Sequence, residues 1–265
     1  MRQTVFDAAA RRAADAARLA WLLAGLLVSA GASAAVGAFP PAPSAARQAA
    51  EAAVSVPDTL AQRLKPCMAC HGAQGRASRE GYLPRIAGKP AGYLYQQLLN
   101  FRDGRRSNAT MAGFLAHQRD DYLREMAGYF AALDLPQAAP PAATAPAALL
   151  ARGEVLVREG DSARRLPACA ACHGSALAGT LPAVPGLLGL PRDYLSAQLG
   201  AWQTGSRHAT APDCMAVISQ RLGPGDVSAV AAWLSAQPAA GKLAAAAALQ
   251  QPSPLPCGSI TTPPR

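Results

Sequence analysis

The sequence predicts an all-α fold built from two small tandem units. Three observations carry that expectation. "PCMACHG" at residues 66–72 returns as "ACAACHG" at 168–174. Downstream positions match at a constant offset: Pro84 with Pro185, Gly88 with Gly189, Tyr93 with Tyr194 and Gln97 with Gln198, each pair 101 apart. Apolar residues recur at helical spacing, and no stretch shows the strict alternation of a half-buried strand.

From the N-terminus, residues 1–34 read as a secretory signal. Arg2, Arg11, Arg12 and Arg18 precede the apolar run "LAWLLAGLLVSAGA", and Ala32-Ser33-Ala34 offers small residues for cleavage. The run is short for a bilayer span, but the charged region before it is long. An uncleaved N-terminal anchor is therefore the alternative. Either way the chain is exported, which places it in the periplasm and in an oxidising compartment. Residues 35–54 read as a linker.

The first unit covers 55–135. After its cluster comes a helix opened by Pro90, with Tyr93, Leu94 and Leu98 on its apolar face. A last helix is striped by Leu123, Met126, Ala127 and Phe130. A Pro/Ala linker spans 136–146. The second unit, 147–238, restates the pattern: Pro191 opens a helix bearing Tyr194, Leu195 and Leu199. Val227, Val230, Ala231 and Leu234 repeat the final stripe 104 residues on. Residues 239–265, alanine-rich and then proline-rich, read as a tail.

The 265 residues carry a formal charge of +9, or +7 without the first 34. Export argues against nucleic acid as a partner. A basic surface suits an acidic protein patch or an anionic membrane surface. Arg105 and Arg106 are the residues expected to meet such a protein partner. Aromatic residues make up only 5% of the chain, so each unit is short of large core anchors and calls for a staple.

The clusters supply it. On a helix, positions i, i+3 and i+4 share a face, so Cys67, Cys70 and His71 converge on one ligand, as do Cys169, Cys172 and His173. C-x-x-C-H is the haem-attachment pattern: the thiols bond the porphyrin edge and the histidine binds iron. Two haem c groups are therefore expected. A four-cysteine zinc site is the first rival, against which each pair has its own histidine and the pairs lie 99 residues apart. A thioredoxin-like redox pair is the second, and it needs a βαβ context that is absent.

The other axial ligands are Met111 and Met215, 40 and 42 residues after His71 and His173 and each placed in a loop before the last helix. His208 and Cys214 are rivals at the second iron; Met126 and Met68 read as packing, and His117 as an exposed loop residue. Pro84 and Pro185 offer carbonyls that would orient the histidine rings. Cys214 and Cys257 are the two cysteines left over, and a disulfide between them is one expectation in an oxidising compartment. Spacing alone does not fix that connectivity.

Together these residues resemble the dihaem cytochromes c of the cytochrome c4 family, over about residues 55–238. The resemblance rests on both C-x-x-C-H motifs, on "GEVLVREGDSARRLPACAACHG", on the two Y-L-x-x-Q-L helices and on a methionine before each final helix. It implies two tandem cytochrome c-like domains with facing haems. It also implies a periplasmic carrier between respiratory complexes or dehydrogenases and a terminal oxidase or reductase. By that resemblance His71 and Met111 hold the first iron, His173 and Met215 the second, and no residue is catalytic. Two other readings stand beside it: a dihaem enzyme of peroxidase or thiosulfate-oxidising type, and the cytochrome subunit of a dehydrogenase complex. The tail and the Cys214/Cys257 pair depart from the family pattern.

Overall fold

The structure, a computed structural model, describes residues 57–78, 83–137, 144–239 and 243–260. The expected signal, the 35–54 linker and the middle of the 136–146 linker lie outside the described residues. All described residues belong to one compact unit, Val56–Arg265. Among them, no helix is long and apolar enough to cross a membrane.

The first half is helical throughout. Helices α1 (Leu60–Arg63) and α2 (Lys65–His71) lead into a 3-10 turn (Ala73–Gly75). Then come α3 (Ala91–Arg102), α4 (Ala109–Leu115) and α5 (Asp120–Ala131). The start signals are local. Pro90 stands immediately before α3. The Asn108 side chain accepts from the Met111 N–H and so caps α4. Every residue of the expected final stripe, Leu123, Met126, Ala127 and Phe130, is buried. These pack with Leu64, Leu94, Tyr95 and Leu115 into one core. A leucine buried this completely contributes about 1.5–3 kcal/mol. On α3 the buried face is Leu94, Tyr95, Gln96 and Asn100, so Tyr93 and Leu98 sit at its margin instead.

The second half opens with a longer helix, α6 (Ala147–Arg158). A hairpin follows, β1 (Gly160–Asp161) with β2 (Leu166–Pro167), then α7 (Ala170–His173) and a second hairpin, β3 (Gly179–Thr180) with β4 (Val184–Pro185). Both pairs are antiparallel, in the registers Gly160↔Pro167 and Gly179↔Pro185. Helices α8 (Arg192–Gln203), α9 (Cys214–Arg221) and α10 (Pro224–Ala236) complete it. The all-α class stands, with four strands the sequence did not announce. Two residues are too short to display a period of two. Helix α6 lies against α10 at Gly153, where an added Cβ would collide with the Ala229 carbonyl and come within 2.7 Å of Trp233 Cβ.

Two further departures concern loops and tail. The methionine positions are not loops: Met111 lies in α4 and Met215 in α9. The tail is docked. Ala246 makes a parallel bridge with Thr180, accepts from the Leu181 N–H at 2.8 Å and donates to the Gly179 carbonyl at 2.9 Å.

The halves meet along a reciprocal seam. Arg106 and Arg207 form an antiparallel bridge. The Ser107 N–H donates to the Ser206 carbonyl at 2.9 Å, and the His208 N–H donates to the Arg105 carbonyl. The Gly92 N–H reaches the Pro182 carbonyl at 3.1 Å, where a side chain on residue 92 would clash.

Candidate haem centres

In the second half, Cys169, Cys172, His173 and Met215 line one cleft. Its walls are aliphatic: Leu187, Leu190, Leu195, Leu199, Val230 and Leu234. The motif helix α7 ends at Gly174, whose φ of 81° favours glycine, just as Gly72 at φ 75° ends α2 in the first half. Each turn brings a proline carbonyl under a histidine ring. His173 Nδ1–H donates to the Pro185 carbonyl at 2.7 Å, and His71 Nδ1–H donates to the Pro84 carbonyl at 2.8 Å. A carbonyl only accepts, so the proton sits on Nδ1 and the Nε2 lone pair is free for a metal. Burial depresses the His173 pKa, which keeps that ring neutral.

Burial holds three of the four motif thiols in their neutral form. Burial pushes Cys169 up to about 11 and raises Cys67 and Cys172 as well. A redox-active C-x-x-C needs its thiol lowered. The two pairs do not meet: Cys67 packs on the first core, and among the described residues no group of three or more His, Cys, Asp or Glu is placed to hold a metal ion. In the first half, Cys67, Met68 and Met111 all pack against the same core, with Cys70 exposed.

The cleft also carries charge. Lys89, from the first half, and Arg207 line it beside Tyr93, Tyr194 and Trp202. Arg207 is buried, stacks on the Trp202 ring at 3.8 Å, and donates to Gln198 Oε1 at 2.7 Å and Gln97 Oε1 at 3.0 Å. Arg106 answers from the other side, donating to Gln97 Oε1 at 2.9 Å and Gln198 Oε1 at 2.7 Å. Among the described residues none of these three cations forms an ion pair. Burial lowers the Arg207 pKa. Burial alone would raise the Tyr93 phenol, but Arg207, Arg106 and Lys89 outweigh it and hold it below its usual value. The Trp202 Nε1–H is buried without an acceptor. An aliphatic slot with two thiols, a free imidazole nitrogen, a thioether, uncompensated cations and an orphan N–H fits a flat macrocycle that carries carboxylates. Haem is such a group.

The remaining candidates separate cleanly. Cys214 and Cys257 are joined in a disulfide, so Cys214 offers no thiolate. His208 does not line the cleft, and its backbone belongs to the seam. His117 is exposed. Arg106 is not free to greet a partner, because both glutamines occupy it; Arg105 is held by Asn100 Oδ1 at 2.7 Å and Asp103 Oδ2 at 2.9 Å. Sequence reasoning missed Lys89, Trp202 and the seam quartet. The signal was there: Arg106 and Arg207 are 101 apart, the same offset as Gln97 and Gln198. It also missed Arg85, a buried guanidinium donating to the Ala87 carbonyl at 3.0 Å and the Pro136 carbonyl at 3.2 Å.

No family model matches the chain. Individual relatives do. A thiosulfate dehydrogenase electron acceptor from Thiomonas intermedia is 37% identical over 172 residues, 65% of this chain and 78% of that one. A second protein of that name, from Stutzerimonas stutzeri, is 36% identical over 64% and 77% of the two chains. Cytochrome c4 of Pseudomonas aeruginosa is 32% identical over 63% of this chain and 82% of its own. Among solved structures, thiosulfate dehydrogenase (TsdBA) from Marichromatium purpuratum superposes with a TM-score of 0.57 at 34% identity, over 65% of this chain; the match spans only 36% of that longer chain. Reduced cytochrome c4 from Pseudomonas stutzeri gives 0.56 at 27% identity, over 66% and 94% of the two chains.

Proposed function

The chain belongs to the cytochrome c4 family of electron-transfer proteins and carries two haem c groups, and from that premise we propose that it is a periplasmic relay that takes electrons from a dehydrogenase and hands them to a terminal oxidase or reductase. Thiosulfate dehydrogenase is the donor we assign. The similarity to two proteins named as its electron acceptors, at 37% and 36% identity, carries this reading.

Each haem, when bound, supplies a one-electron iron couple. The chain's part is to hold and tune it. Cys67 and Cys70 would tether the first haem and Cys169 and Cys172 the second through thioether bonds. His71 and His173 would offer Nε2 to the irons, with the Pro84 and Pro185 carbonyls orienting their rings through Nδ1–H. Met111 and Met215 would supply thioether sulfur to the same irons, which favours the reduced state. With a histidine and a methionine both given to each iron, the chain would act as a carrier. Lys89 and Arg207 line the cleft where carboxylates would be neutralised, and the seam keeps the halves in a fixed relation for transfer between them. The domain limits follow the same reading: 55–135 and 147–238 each enclose one haem.

Two measurements test this. Pyridine haemochrome assay is expected to return two haems per chain. Mixing ferric protein with thiosulfate dehydrogenase and thiosulfate is expected to reduce both haems, while thiosulfate alone leaves them ferric. Continued ferric spectra in the complete mixture would remove the donor assignment and leave the haem count intact.

A further inference from the structure

The docked C-terminal segment has no counterpart among the described residues of the first half, and it converges on one place. Ser253, Pro254, Leu255, Cys257, Ser259 and Ile260 line the second cleft. Cys257 is bonded to Cys214, the first residue of α9 and the neighbour of Met215. The Gly258 N–H donates to the Pro212 carbonyl at 2.9 Å, and a Cβ at Gly258 would collide with the Ala211 carbonyl. The turn leading to Met215 is thus gripped from outside. It is also gripped from within: Asp213 accepts from Ala209 N–H at 2.7 Å and Ala216 N–H at 3.0 Å. At its other end the segment is laced to Gly179, Thr180 and Leu181 by backbone hydrogen bonds, and Thr180 Oγ1 donates to the Cys172 carbonyl at 3.0 Å.

We propose that residues 243–260 form a covalently pinned strap that holds Met215 against the second iron and keeps external ligands out of that cleft. The proposal rests on Met215 being that iron's ligand. Its physical basis is local opening. An outside ligand can take the sixth position only while the methionine is away, so its rate of entry follows how often the α9 turn lifts. A crosslink closing a loop of 43 residues makes that lifting rarer. The apolar residues of the strap also exclude water from the same side. The helix start bearing Met111 is held by the Asn108 cap and by the seam bond from Ser107, and among the described residues no disulfide pins it.

The test uses ferric holoprotein carrying Cys214→Ser and Cys257→Ser together, so that no free thiol is left to bind iron. A second variant, Gly258→Val, pries the strap away with the disulfide intact. Cyanide binding is followed by stopped flow, and the weak far-red band of methionine-bound ferric haem is recorded in parallel. The second haem is isolated by repeating both in a Met111→Ala background. We expect cyanide to enter the second haem about tenfold or more faster in each variant, with its far-red band weakened, its potential lowered and the first haem unchanged. Unaltered cyanide rates in both variants, or equal acceleration at both haems, would overturn the strap. Wild-type protein with fewer than two methionine bands would instead strike the ligand assignment.

Discussion

The two halves put the same three motif side chains in place with different amounts of surrounding structure. The first uses two short helices, α1 and α2, and leaves Cys70 exposed and His71 half-buried. The second prefaces its motif with the twelve-residue α6 and a hairpin, buries His173, and lays the C-terminal segment over the cleft. A shared motif therefore fixes what is bound, and the neighbouring segments fix how well it is sheltered. Similar centres in one chain are free to differ in ligand exchange and stability without any change in the residues that hold the cofactor.

The largest effect should come from the axial positions. Met215→Ala is expected to erase one far-red band and drop one potential by roughly a tenth of a volt or more, within the about 0.8 V range that axial ligation covers; Met111→Ala should do the same to the other haem. Spectroelectrochemical titration checks both, and a variant that moves both potentials alike would break the pairing of one methionine with one haem. Next comes shelter by α6. Gly153→Val should cost about 1–3 kcal/mol through overpacking against Ala229 and Trp233, read as a lower denaturation midpoint. Arg207→Leu should cost about 2 kcal/mol by stripping charged hydrogen bonds from Gln97 and Gln198. It should also split one unfolding transition into two.

The smallest effect is a pH dependence carried in the second half by Asp226, alongside the Asp103 and Asp120 carboxyls that Arg102 holds low in the first. Asp226 is clamped by Arg164 at 2.6 Å and Arg152 at 3.0 Å and accepts from the Gly223 N–H at 3.2 Å. Burial alone would raise its pKa, but these donors outweigh it and hold the carboxyl below the ordinary 3.8. A depressed folded pKa contributes stability above the unfolded value, and that stability is lost as pH falls through the folded one. The second half should therefore weaken below about pH 4. Asp226→Asn should lessen that acid dependence, leaving the share of Asp161, and cost about 1 kcal/mol at neutral pH. Thermal melts between pH 3 and 7 measure both.

The repeat made much of this legible. Side chains at i, i+3, i+4 and i+7 declare a helix stripe, and two copies at one offset declare two helical halves. What escaped was set by contacts distant in sequence. Met111 and Met215 each follow a Gly/Arg turn, which suggests a loop; Asn108 and Asp213 are helix caps, the local signal that places both methionines in helices. The hairpins are too short for any pattern. The C-terminal segment has the composition of a solvated tail, and only Cys257 hinted that it returns to the fold. Arg106 looked like free surface charge, since nothing in its own stretch reveals the glutamine waiting across the seam.

That seam has a consequence of its own. Arg106 reaches Gln97 and Gln198, Arg207 reaches Gln198 and Gln97, and every one of these residues has its twin 101 positions away. A contact in which each side offers the other its own copy is the kind made by two identical subunits about a twofold axis. Carrying both copies in a single chain keeps those matched surfaces at high effective concentration.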